Sequence, residues 1–379
     1  MTTTLAPNND TTAWPSCGQQ NRAARPSVIV QAVEDTATRT AWARYAALAS
    51  GASVFHQPDW CGAVARTFGH RPLHLLATRV ARVVGILPLM EVDSLIGGRL
   101  HVSVPYGTYG GLLADDDEVA AVLAARAVQV AQARGARVLE LRSAVAGVPD
   151  FERVPGYLGF LRQLPRRADD VPAFLPKRAR AAARHARDRD GIRVEHVISA
   201  AQEQWHALRL VWQLYCRSMR RLGSVNYPYQ FFAELVARFG ERAWITVAWR
   251  GPRPVAGTLS FVFRETIMPY ILGVDERLPS DGVANLLYWE VMERAVRRGL
   301  RYFDYGRSRA DNTGAVGFKK NQGFEPRPLG YQRYVPPGQR PPDLKPSNPR
   351  FAAARRVWRR LPLCVTRTVG AWAAASLPG

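Results

Sequence analysis

Residues 297–324, RRGLRYFDYGRSRADNTGAVGFKKNQGF, gather Asp304, Arg307 and Lys319 around the glycine turn at Gly306. The apolar and aromatic run Leu300, Tyr302, Phe303, Tyr305 reads as a buried strand that Gly306 stops, leaving Asp304, Arg307 and Ser308 to face a cleft. A charged group at the end of a core strand is costly unless it is paired or used, so Asp304 and Lys319 are predicted to serve one site. The chemistry that suits a lysine and a carboxylate in one cleft is proton transfer with stabilisation of developing negative charge. Lys319 fits the electrostatic role, and Asp304 would orient a nucleophile or accept its proton. Phe318 would anchor a loop carrying Lys319, with Gly323-Phe324 returning the chain to the core. Asn285, Tyr288 and Arg307 are expected to line the same crevice, although Asn285 equally suits a helix cap. The competing reading is a plain Asp304–Arg307 surface pair of modest worth.

A second set of charged residues lies in LPKRARAAARHARDRDG, residues 175–191. Pro176 suits a first helical turn and Gly191 a C-terminal cap. Lys177, Arg180, Arg184 and Arg187 recur at spacings that share one face, and Arg178 adjoins them. Aligned cations without intervening acids repel one another unless an anion is near, so this helix is read as an anion-binding element. A solvated surface helix is the alternative.

The elements that must position these residues form an internal repeat. Residues 73–89 give strand, turn and strand; a Tyr-Gly-rich stretch follows at 106–111, then a helix from about Glu118, then ARGARVLELRS. The second copy runs WITVAWRGPRPVAGTLSFVF, PYILGVD, a helix from about Val283, and RRGLRYFDYGRS. Arg134-Gly135 matches Arg298-Gly299, and Val84-Gly85 matches Ala256-Gly257. A hairpin, a crossing strand, a helix and another strand occurring twice predict two α/β lobes of similar fold. The expected divisions are a disordered tail over 1–27, lobes over 28–165 and 166–335, and a Pro-rich linker with a basic amphipathic tail over 336–379. That tail could dock on the domain, stay disordered or lie on an anionic bilayer.

With 379 residues and 47% hydrophobic content the chain can bury two cores, and its formal charge of +21 implies an anionic partner. RNA, a phosphate-bearing substrate, an acidic polymer and a membrane surface all remain open. Cys17, Cys61, Cys216 and Cys364 have no ligand or disulfide spacing, and His70 and His74 lack a third ligand, so no metal is expected. No GxSxG context suggests a Ser/His/Asp site. The polar N-terminus lacks the apolar core of a signal peptide, and no run of residues reaches spanning length, so a cytoplasmic location is expected.

The chain resembles the FemAB-like transferases, especially the branch associated with exosortase/PEP-CTERM clusters, and the acetyltransferase-like domain of polysaccharide-biosynthesis proteins. The resemblance spans about residues 28–335. It is carried by FHQPDW at 55–60, FGH at 68–70, VGILPL at 84–89, YGTYGG at 106–111, the basic segment at 175–195, VAGTLSF at 255–261, VANLLYWEVMERA at 283–295, FDYGRS at 303–308 and FKKNQGFEPRPLGYQRY at 318–334. Each is weak alone; their order is specific. It implies α/β architecture with two tandem GNAT-like lobes, mixed sheets flanked by helices, and amide-bond formation from an activated acyl group, often an aminoacyl ester on tRNA, on a cell-envelope or exopolysaccharide-related acceptor. It also implies substrate binding by Lys177, Arg178, Arg180 and Arg184, and roles at the catalytic centre for Phe318, Lys319 and Asp304.

No tightly bound cofactor is expected, and the donor is aminoacyl-tRNA or acyl-CoA. A pyrophosphate needs several backbone N–H groups converging at a helix N-terminus. Here Gly282 stands alone behind Asp281, which disfavours CoA. The alternatives are an acyl-CoA N-acetyltransferase of an amino sugar, or a binding module for an anionic polymer, RNA or membrane surface. Contact of the basic tail with the inner face of a membrane is part of the same expectation.

Overall fold

A computed structural model describes residues 27–144, 147–197, 201–275, 277, 282–344 and 348–379. Asp281 and all but Ser27 of the expected N-terminal tail lie outside the described residues.

Two lobes share one strand order. In the second, the sheet runs Ile192–Val197, Ala243–Arg250, Arg253–Phe263, Thr266–Val274, Tyr302–Arg309, Tyr157–Gln163 and Arg327–Pro328. In the first, the matching order is Ile29–Ala32, Leu75–Arg79, Arg82–Leu87 continuing as Leu89–Ser94, Gly98–Ser103, Val138–Leu141, Gln332–Tyr334 and Glu152–Arg153. Pro88 separates the two halves of the third strand, and a proline cannot donate to a ladder, so the first-lobe sheet divides there into two. The senses also agree: the fourth and fifth strands are parallel in both lobes, Thr266↔Tyr302 in one and Leu100↔Val138 in the other. This is the duplication expected from the repeat. The crossing strand of the first copy, however, is Gly98–Ser103 and not the Tyr-Gly stretch, which forms the loop after it.

Strand periodicity explains the layers. In Ala243–Arg250, Ala243, Ile245 and Val247 join the core beneath the helix Ala201–Leu222, while Trp244 and Ala248 join the opposite core beneath Val283–Arg297. Both faces are covered, so the buried part of the strand is apolar except for Thr246, whose hydroxyl meets His196 Nδ1 at 3.0 Å.

The sixth strand of each sheet comes from the other half of the sequence. Tyr157–Gln163 pairs antiparallel with Tyr302–Arg309, and Gln332–Tyr334 pairs antiparallel with Val138–Leu141. The boundary expected at 165/166 therefore does not separate the sheets. Each lobe borrows a strand, and the buried Phe160 goes with it into the second core.

The tail docks. Helices Ala352–Trp358 and Leu363–Ala374 follow the proline-rich segment. Thr366, Gly370 and Ala374 are buried, Trp358 Nε1 donates to Ser224 O at 3.0 Å, and a Cβ at Gly370 would overlap Asn226 Oδ1. Among the described residues no helix is long and apolar enough to cross a membrane.

Candidate active site

The parallel strands Thr266–Val274 and Tyr302–Arg309 are hydrogen-bonded only at Thr266↔Tyr302 and Ile267↔Phe303. Beyond that point they splay. A cavity of about 1040 Å³ opens between them, lined on one side by Pro269–Leu272 and on the other by Tyr305, Arg307, Ser308 and Arg309. Leu100, Val102, Val138 and Arg142 of the first lobe close it opposite. Its walls are largely apolar and aromatic, with arginines among them, a surface suited to a substrate carrying both apolar and anionic groups.

A bulge shapes the strand end. Register shifts between Gly159 and Leu161, opposite Arg307 and Asp304, and Gly306 takes φ 65°, a left-handed conformation that glycine adopts without strain. Asp304 Oδ1 accepts from Gly306 N at 2.8 Å and from Tyr109 Oη of the first lobe at 3.0 Å. The carboxyl is 5% exposed. Burial pushes its pKa up to about 6, against the opposing effects of the Gly306 amide, the Tyr109 hydroxyl and the Lys319 charge.

Lys319 sits on the helix Thr313–Asn321, whose N-terminus is capped by Asn312 Oδ1 accepting from Ala315 N. The expected loop at Phe318-Lys319 is thus a helix, and its geometry brings the ammonium back to the strand end. Nζ donates to Tyr305 O at 2.8 Å and Arg307 O at 3.0 Å, with Gly306 O farther at 3.5 Å. Two strong bonds and one marginal one leave a donor direction for a ligand oxygen. The ammonium also lies 4.8 Å from the Phe160 ring centroid. Burial lowers its pKa to about 8; Asp304 opposes the shift and Arg307 adds to it.

Tyr288, Arg307, Phe318 and Lys319 all line the cavity, as the sequence predicts. Arg307 Nη1 donates to Tyr331 Oη at 3.3 Å, and its guanidinium lies 5.1 Å from the Tyr157 ring centroid. Among the described residues no carboxylate pairs with it. Tyr305 Oη, buried on the same wall, has no hydrogen-bond partner among the described residues.

Two other expectations, for Asp304 and Asn285, need correction. Asp304 does not line the cavity, because the bulge leaves its side chain at the seam between the lobes, against Tyr109. Asn285 is buried in the helix Val283–Arg297 and does not reach the cavity either. Lys177, Arg178 and Arg184 are exposed on the helix Lys177–Asp188, and Arg180 is half-buried, donating to Pro172 O at 3.1 Å. None of the four lines the cavity.

That helix has an alanine stripe, Ala179, Ala183 and Ala186, buried against Val283–Arg297. The two helices approach so closely that a Cβ at Gly282 would overlap Ala182 O. Gly282, the N-cap of Val283–Arg297, is thus explained by packing. A peptide carbonyl, rather than an open array of N–H donors, faces it, which is a poor fit for a pyrophosphate.

Two residues of the site escaped the sequence reading. Tyr109 belongs to the Tyr-Gly stretch, but nothing local marks its hydroxyl as a partner of Asp304. Arg142 was detectable: ELRS at 140–143 is the repeat counterpart of DYGRS at 304–308, with Gly306 inserted. Arg142 is 3% exposed, lines the cavity, and pairs through Nε with Glu140 Oε1 at 2.7 Å.

Residues 175–320 match the family described as acetyltransferase (GNAT) domain. Among solved structures, FemX is similar over 80% of this chain and 97% of its own, with TM-score 0.61 and 14% identity. A tandem GNAT protein from the clavulanic acid biosynthesis pathway is similar over 82% and 98%, with TM-score 0.52 and 15% identity. The C-terminal domain of a putative lysylphosphatidylglycerol synthetase from Agrobacterium fabrum is similar over 79% and 92%, with TM-score 0.51 and 14% identity. No curated protein sequence matches the chain significantly. The two lobes are tandem GNAT-like folds with mixed sheets flanked by helices.

Proposed function

We infer that this chain, an amide-forming acyltransferase of the GNAT fold, moves an activated acyl or aminoacyl group onto an amine of a cell-envelope or exopolysaccharide-related precursor. The observation that carries this reading is Lys319, held by the carbonyls of Tyr305 and Arg307 with its ammonium on the cavity wall where the parallel strands splay. The acceptor nitrogen attacks the acyl carbon, the bond to the donor oxygen breaks, and the proton lost by nitrogen ends on the leaving hydroxyl. Lys319 faces the carbonyl oxygen as its charge grows, and Arg307 holds an anionic group of the substrate. Asp304 acts through the bulge that shapes this wall.

Aminoacyl-tRNA is the donor we favour. The charge of +21, the exposed cations Lys177, Arg178 and Arg184 and the covered Gly282 support a polyanionic donor over a free CoA. The order of the sequence motifs supports an exosortase/PEP-CTERM-type setting. A peripheral position at the inner membrane face is supported by the exposed Val365, Val369 and Trp372, spaced along one face of Leu363–Ala374.

The decisive experiment offers purified protein a radiolabelled aminoacyl-tRNA pool and an amine-bearing precursor extract, with labelled acetyl-CoA in a parallel arm. Label should move from tRNA to an acid-stable amide, and Lys319→Met should stop it. Transfer from acetyl-CoA alone would instead establish the acetyltransferase reading. Binding of tRNA without transfer from either donor would make the chain a binding module.

A further inference from the structure

The cavity contains a piece of this chain. Leu377, Pro378 and Gly379 lie on its lining, and they are held there chiefly through their backbone. Pro378 O accepts from Arg142 Nη1 at 2.9 Å and from Tyr106 N at 2.7 Å, while Gly379 O accepts from Arg142 Nη2 at 2.7 Å. One residue earlier in the segment, Ser376 O accepts from Ser94 Oγ at 2.7 Å.

We propose that Arg142 and the Tyr106 amide form a subsite for the backbone of an extended peptide within the substrate cavity, and that residues 376–379 occupy it, so that substrate and tail exclude each other. That exclusion rests on the cavity being the substrate site; the subsite itself does not.

Three features support it. A buried arginine needs acceptors for the N–H groups it carries, and Glu140 serves Nε while the two terminal nitrogens find only the backbone oxygens of Pro378 and Gly379 here. If the tail left, those donors would turn to water in the cavity, and another chain with consecutive backbone oxygens could displace that water. Next, the loop that aims the Tyr106 N–H holds Val104 at φ 50° and Tyr106 at φ 64°, a left-handed conformation that is costly for non-glycine residues. Its N–H is directed at Pro378 O in that conformation. Finally, Arg142 is the repeat counterpart of Arg307, so the matched strand ends of both lobes present an arginine to one cavity. One is filled by peptide and the other faces the tyrosines. Because the contacts to residues 378 and 379 are to backbone, a different peptide could make them.

The test uses a fluorescein-labelled peptide, Ala-Ser-Leu-Pro-Gly, and fluorescence anisotropy. A variant lacking residues 376–379 should bind the peptide at least tenfold more tightly than the intact chain, and adding Arg142→Gln to that variant should remove the gain. Full-length Leu377→Asp, which makes the cavity-lining leucine charged, should bind the peptide more tightly than the intact protein without any truncation. Equal binding by intact and opened forms, or no binding by either opened form while circular dichroism shows it folded, overturns the proposal. The readout needs no turnover. If transfer activity is never found while peptide still binds the opened forms, the functional reading fails and the subsite stands.

Discussion

Tyr109 and Asp304, 195 residues apart in sequence, meet at 3.0 Å across the seam between the lobes. The tyrosine hydroxyl donates to the same carboxylate oxygen that accepts the Gly306 amide, so a first-lobe loop braces the bulge whose neighbouring carbonyls hold Lys319. Asp304 thereby lies one step removed from the cavity, joined to its wall through the bulge.

Tyr109→Phe should weaken that brace. A buried carboxylate that loses a donor costs about 1–3 kcal/mol, read as a lower urea midpoint at neutral pH. Asp304 should also titrate at a higher pH than the present value of about 6. A variant as stable as the parent would show that the hydrogen bond carries no weight.

Stability should depend on pH through Asp304. Its folded pKa is raised above the unfolded value, so the native state holds a proton that the unfolded chain releases; this stabilisation is complete below about 4 and is lost as pH rises through about 6. Asp304→Asn removes the dependence. Relative to the parent, its stability should improve between pH 4 and pH 8, by on the order of 2 kcal/mol in parallel denaturant titrations. A constant difference across that range would contradict the buried titration.

Lys319→Met should lower turnover by about a hundredfold with little loss of stability, the scale for losing one oxyanion-stabilising donor. Because burial depresses the Lys319 pKa to about 8, the parent should lose activity as pH rises past that value. Lys319→Arg, whatever its residual rate, should lack this alkaline limb, since a guanidinium stays charged. An unchanged limb in the arginine variant would assign it to another group.

Gly282→Ala should destabilise the protein by about 1–3 kcal/mol, because the new methyl meets the backbone at Ala182 and two packed helices must separate. Thermal unfolding reads this directly. A neutral outcome would mean that the helices part easily.

Lys177→Gln with Arg184→Gln should leave the melting temperature unchanged, since both side chains are exposed. It should weaken tRNA binding and reduce the slope of log affinity against log salt by about 1 to 2 units. An unaltered slope would make this a solvated surface helix.

Much of the fold was legible locally. The largely apolar run of Ala243–Arg250, the proline and glycine flanking the basic helix, and the hairpin-strand-helix-strand order appearing twice all report short-range burial and backbone preference. The place of Lys319 on the cavity wall was legible because Phe318 and Gly323-Phe324 tie its segment to the core close behind the strand end that carries Asp304 and Arg307. Its helix was not, since the glycines at 314 and 317 disguise the helical pattern.

By itself the sequence determined the two lobes, their strand and helix content, and a cationic pocket wall containing Arg307, Phe318 and Lys319. Those features follow from side-chain period and from residues near one another in the chain. Tertiary structure alone decided which strand completes each sheet, because the partner of an edge strand is chosen by nonlocal hydrogen bonding. It also decided that Asp304 faces Tyr109, since one residue added at Gly306 changes the direction of its neighbours, and that the tail, through Arg142, reaches the cavity. Each is a relation between distant segments, and such relations exist only after the chain has closed on itself.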